Sequence, residues 1–161
     1  MEDLGASVRG LDAAAWSRRP DDRNWSPKEI VCHLRDVEEL FVVRFMTMLA
    51  MDEPKILAFS AAPETLAAWG IGGTISHPLD PDRWAEERQY LANDGAKALS
   101  AFARRRRETL ALLGGLSQAQ WVRGGHHPSR GRLTIADYAD ALAAHDANHL
   151  AQLERALEGR A

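Results

Sequence analysis

Residues 134–158 read TIADYADALAAHDANHLAQLERALE. Tyr138, Leu142, His145, His149 and Leu153 recur at close to the a/d spacing of a helical-bundle seam, so one face of a long helix turns toward a core. Thr134-Ile135-Ala136-Asp137 forms a cap-like tetrad that starts this helix. His145 and His149 are four residues apart on that inner face, where Cβ atoms lie about 5–6 Å from each other. One divalent metal can be held between two such imidazoles, and a third ligand must then come from another segment.

The second long helix is announced by Ser26-Pro27-Lys28-Glu29: an N-cap serine, proline at the first helical position and glutamate three after the cap. Ile30, Leu34, Val37, Phe41, Phe45 and Met48 continue a helical stripe to about residue 51, before Pro54 ends it. His33 sits on or beside this stripe, one turn before Val37, and is the candidate third ligand.

The remaining chain supplies connectors and two further helices. Leu4, Val8 and Leu11 predict a short helix over 2–15, weakened by Gly5 and Gly10. Residues 53–80 are punctuated by prolines and glycines and predict a long crossover or flap, with a short helix at 64–69. Trp69 and Trp84 flank it. Helix is expected again over 82–113, with Gly114-Gly115 as its stop. Residues 123–131, RGGHHPSRG, read as a loop. Gly10-Leu11-Asp12-Ala13-Ala14-Ala15-Trp16 also echoes Gly115-Leu116-Ser117-Gln118-Ala119-Gln120-Trp121, each ahead of a capped, histidine-bearing helix. A pseudo-repeat of two helix pairs gives a reason for His33 to face His145 and His149 across the core.

Length and composition set the frame. The 161 residues fit one domain, 1–161, and 45% hydrophobic content is enough for a buried core. A net charge of −3 points away from nucleic acid or an anionic membrane as partner. The one cysteine, Cys32, excludes an intrachain disulfide and fits a reducing cytoplasm. The N-terminus has no apolar signal region, and no apolar run approaches the roughly 20 residues that span a bilayer.

Three neutral imidazoles from two helices would leave coordination positions open, as in a reactive rather than a structural centre. Such a set suits zinc, nickel, copper or iron and does not select among them. Asp146 is rotated about 100° from its neighbour on the helix and is no obvious general base. Asp36 could accept a proton from an imidazole or form an ordinary surface ion pair. Gln152 could orient a ligand, bridge to substrate or pack at the rim. His127 could belong to the pocket mouth, while His126 and His77 read as loop residues. One of Arg105 or Arg106 must fall near the inner stripe, to pair with a buried carboxylate, anchor an anion or snorkel.

Trp25-Ser26-Pro27, Ile30, His33-Leu34, Asp36 and Glu38 together resemble the second-helix signature of the DinB/YfiT superfamily, and His145-Asp146, His149-Leu150 and Leu153 resemble its last-helix signature. Gly125, His127-Pro128 and Gly131 are also like members of that family. The resemblance runs from about 16 to 158. It implies an all-α four-helix bundle, up-down-down-up, with a long crossover between helices 2 and 3 and often a homodimer. It also implies a divalent metal, zinc or nickel, on His33, His145 and His149. Relatives include metal-dependent transferases that use low-molecular-weight thiols of the bacillithiol or mycothiol type. The expected activity is therefore thiol S-transfer to a small-molecule electrophile, with a metal-dependent hydrolase or a non-catalytic metal- or ligand-binding bundle as alternatives. The first helix is shorter than relatives usually have, so a longer native N-terminus is an open expectation.

Overall fold

Three long helices carry the structure: α3 (Pro27–Ala50), α6 (Gly95–Gly114) and α8 (Ile135–Leu157). The computed structural model describes residues 2–57, 63–70 and 80–161. The short helices are α1 (Glu2–Ser7), α2 (Ala13–Ser17), α4 (Pro63–Ala68), α5 (Pro81–Glu87) and α7 (Gln118–Trp121). The protein is a four-helix bundle in which α3 packs against both α6 and α8, and α1 adds a short fourth helix through Leu4, with Val8 just past its end in the same apolar cluster. Among the described residues, no helix is long and apolar enough to cross a membrane.

The helix starts follow their sequence signals. Ser26 and Glu29 form a reciprocal capping box at α3, with Pro27 in the first turn. Thr134 and Asp137 do the same at α8. The pseudo-repeat has a structural counterpart. Asp12 caps α2 through the Ala15 amide and Ser117 caps α7 through the Gln120 amide, each a short helix ahead of a long capped one.

Three expectations are corrected. The helix expected over 2–15 is two helices, because Gly10 takes a left-handed φ of 79° between them. The helix expected over 82–113 is interrupted. Gln89 adopts a left-handed φ of 50°, a 3₁₀ turn covers Tyr90–Ala92, and Asp94 re-caps the chain by accepting from the Lys97 amide. Gly95 then lets the Trp16 ring press on the backbone, since a Cβ there would lie 2.5 Å from a ring carbon. The stretch expected as a loop over 123–131 forms most of a hairpin, β1 (Gly124–His127) paired antiparallel with β2 (Gly131–Thr134). Residues 54–56 extend it: His126 N–H donates to the Pro54 carbonyl at 2.8 Å, and Ile56 N–H donates to the His126 carbonyl at 2.9 Å. His77 lies outside the described residues.

The core is two apolar clusters stacked along the bundle. One gathers Trp16, Ile30, Leu34, Phe102 and Leu153 with α1. The other gathers Val37, Phe45, Met48, Ile135 and Leu142. On α3 His33 lies among the last residues of the first set, one turn before Val37 opens the second, and on α8 His145 and His149 fall between the two sets. The imidazoles thus occupy the polar seam where the two clusters meet.

Candidate metal centre

His33 is 2% exposed, and His145 and His149 are half-buried. The structure brings the three together: one ring nitrogen from each lies within 4.8 Å of the others. His33 Nε2 and His145 Nε2 are 3.1 Å apart. Two nitrogens bound to one tetrahedral zinc at about 2.0–2.1 Å stand about 3.3 Å from each other, so the pair is spaced for a shared ion.

The protonation of the rings suits ligation. Burial, then the His149 and His145 rings, push the His33 imidazole down to about 3. Burial and His145 push His149 down to about 4. Both rings are therefore neutral at neutral pH, the form that binds metal. Gln152 fixes one tautomer. Its Oε1 is an acceptor, so His149 Nδ1–H must donate to it, at 2.7 Å, leaving Nε2 unprotonated. His33 Nδ1 and His145 Nδ1 are buried without a hydrogen-bond partner among the described residues. The donor set, the neutral His33 and His149 rings and the spacing all fit a divalent ion.

The surroundings separate the other candidates. Asp36 does not serve an imidazole here. Its carboxylate takes the Tyr90 hydroxyl at 2.9 Å, Arg88 at 2.9 Å and Arg35 at 2.8 Å. Three donors on its own flank of α3 outcompete the ring one turn back. Asp146 accepts from Arg106 Nη1 at 2.6 Å, while its Oδ1 stands 3.7 Å from His145 Nδ1. Arg106 also binds Glu38, which is fully buried and takes Thr109 on its other oxygen. Of the two arginines expected near the stripe, Arg106 therefore makes the buried carboxylate pair, and Arg105 pairs with Glu39 at 2.8 Å. His127 Nδ1 accepts from the Ser129 amide at 3.2 Å. Cys32 is buried, and burial raises its thiol to about 11.

Two cavities reach the imidazoles. One of about 200 Å³ borders His149 and Gln152 and is also lined by Trp25, Arg23 and Asp82. The other, of about 170 Å³, borders His145, Tyr138 and His127. Along α8 they approach from opposite ends of the histidine pair. Trp25 packs on His33 at 4.9 Å between ring centroids and stacks on His149 at 6.3 Å. The sequence signal for Trp25 is its place immediately before the α3 cap, about two turns ahead of His33 on that helix.

A bundle with this seam of three histidines defines a class of protein. The DinB superfamily model matches residues 2–153, and the chain belongs to that family. Its fold is similar to that of YfiT from Bacillus subtilis, described as a probable metal-dependent hydrolase with an unusual four-helix bundle topology. The TM-score is 0.77 at 20% identity, over 99% of this chain and 82% of that one. No curated protein matches the sequence.

Proposed function

We propose that this protein is a metal-dependent thiol S-transferase whose divalent ion, zinc or nickel, is held by His33, His145 and His149. The observation that carries this reading is the meeting of two separate cavities at one cluster of three imidazoles. A two-substrate reaction needs two approaches. The cavity beside His149, with Arg23, Asp82 and Gln152 on its wall, suits a hydrophilic low-molecular-weight thiol, and the cavity beside His145 suits the electrophile.

A divalent ion there would promote ionisation of the cofactor thiol at neutral pH. The chain's own residues do the rest. Gln152 holds the His149 ring with Nε2 turned to the cluster. Trp25 covers His33 and His149 and limits the entry of water. In the transfer, the thiol sulfur bonds to the electrophilic carbon. The bond to the leaving group breaks with its electron pair, and the thiol proton goes to solvent. No carboxylate need act as base, and among the described residues Asp146, the nearest in sequence, is committed to Arg106.

The test is to load the purified protein with zinc or nickel and follow 1-chloro-2,4-dinitrobenzene conjugation with bacillithiol, mycothiol or cysteine. Thiol-dependent turnover lost in His33→Ala supports the reading. A rate equal to that variant's overturns it. Hydrolysis is the second reading, favoured by the description of YfiT as a probable metal-dependent hydrolase. Thiol-independent cleavage of activated esters or amides by the metal-loaded protein would select it.

A further inference from the structure

The two nitrogens of the His145 ring meet different neighbours. Nε2 lies 3.1 Å from His33 Nε2, in the histidine cluster. Nδ1, on the other edge of the ring, stands 3.7 Å from Asp146 Oδ1. Both Nδ1 and Oδ1 are buried, and neither has a hydrogen-bond partner among the described residues. An orphaned ring nitrogen therefore faces an orphaned acceptor oxygen, about 0.8 Å beyond an ordinary N–H···O length.

The other half of the carboxylate is held firmly. Its Oδ2 takes Arg106 Nη1 at 2.6 Å, and Arg106 Nε donates to the fully buried Glu38 at 2.9 Å. Burial works against the charge of Asp146, but the His145 ring and Arg106 outweigh it and keep the carboxyl below its ordinary range. An ionised carboxylate only accepts, so a favourable contact needs the proton on His145 Nδ1. A neutral ring protonated there presents Nε2 as a lone pair to the cluster. Gln152 does the same for His149. His33 Nδ1 has no such partner among the described residues.

We propose that Asp146 is a positioning residue of the metal centre: with Oδ2 tied to Arg106, its Oδ1 receives the Nδ1 proton of His145 and so fixes the tautomer and aim in which Nε2 ligates. The inference rests on the metal binding assumed in the function proposed above, and not on the thiol chemistry. Asp146 reaches this position because it is rotated about 100° from His145 on α8, off the face that carries the ligand nitrogens. Ligation at Nε2 makes Nδ1–H a stronger donor, and the 3.7 Å contact then closes to a hydrogen bond. Through Arg106 and Glu38 the same contact ties the ligand ring to α6 and α3.

Two readouts on the full chain test it: zinc affinity, by competition with a chromophoric chelator, and the imidazole tautomers, by nitrogen NMR in mildly alkaline solution. In the wild type, His145 is expected to carry its proton on Nδ1 in both the metal-free and the zinc-loaded protein. Asp146→Asn keeps an acceptor for Arg106 and turns an amide donor toward Nδ1, which favours the opposite tautomer. It is expected to weaken zinc binding about 10–100-fold and to move the metal-free His145 proton to Nε2. In a His145→Ala background the same substitution should leave zinc affinity unchanged, because the ring through which it acts is gone. A merely structural role would lower affinity in both backgrounds. Wild-type zinc affinity in Asp146→Asn, an equal loss in the His145→Ala background, or an unprotonated Nδ1 in the wild type would each overturn the assignment, and the last needs no variant to fold. A wild type that binds no zinc would overturn the metal centre and this role with it. Zinc binding with no S-transfer would overturn the thiol reading alone.

Discussion

His149 donates its Nδ1 proton to Gln152 one turn further along α8, at 2.7 Å, and this sets which nitrogen faces His33 and His145. Partners of this kind, on the far side of a ligating ring, commonly change metal affinity 10–100-fold when removed. Gln152→Leu is expected to lower affinity for zinc by that factor and leave folding intact. Gln152→Glu, which keeps an acceptor, is expected to restore it. Competition against a chromophoric chelator measures both.

Arg106 is the tie between α3, α6 and the histidine helix, through Glu38 and Asp146. Removing it leaves a fully buried carboxylate with the Thr109 hydroxyl and no cation. Arg106→Met should destabilise by about 3–5 kcal/mol in urea denaturation. Arg107→Ala, one residue on and exposed, should change stability by less than about 0.5 kcal/mol.

Acid should weaken the metal-free protein earlier than its carboxylates alone would. In the unfolded chain the imidazoles bind protons near 6.5, but in the fold His33 does so only near 3 and His149 near 4. Between these values the unfolded state holds more protons, so stability falls as pH falls below about 6.5. The lowered carboxyls of Glu29, Asp36 and Asp146 add their losses only below about 4.5, the ordinary range of such groups. Tm should be level above pH 7.5 and drop between pH 6.5 and 4.5, and His33→Asn should flatten that drop.

Glycine substitutions should separate the hairpin from the helices. A Cβ at Gly125 would sit 2.6 Å from the Pro54 carbonyl oxygen and 2.8 Å from Ile56, on the contact that joins residues 54–56 to β1. Gly125→Ala should cost about 1–3 kcal/mol. Gly5 lies inside α1 with nothing within 4 Å among the described residues, and Gly5→Ala should stabilise by about 0.4–1 kcal/mol. Thermal denaturation of both variants checks the contrast.

The long helices and the histidine faces were legible because they rest on local rules. Capping at Ser26 and Thr134, and the stripes that follow, need no knowledge of the rest of the chain. The hairpin was not legible. Gly124-Gly125-His126-His127 carries no alternation of polar and apolar residues, and its pairing depends on residues 54–56, about 70 positions away. The break before α6 was hidden for a similar reason, since Gly95 is shaped by Trp16. Tyr138 was legible as a stripe residue only, and Arg44 carried no signal. Their shared cavity exists because the hairpin closes over α3 and α8.

By itself, then, the chain's periodicity determined a helical bundle with two imidazoles on one inner face and a third on another, because side-chain direction in a helix follows from residue number. Only the tertiary structure decided that these rings meet at the seam of two apolar clusters, that Asp36 serves Tyr90 and the arginines, and that a cavity adjoins His145. Those outcomes depend on which distant groups reach a given charge first once the helices pack, and no local pattern encodes that competition.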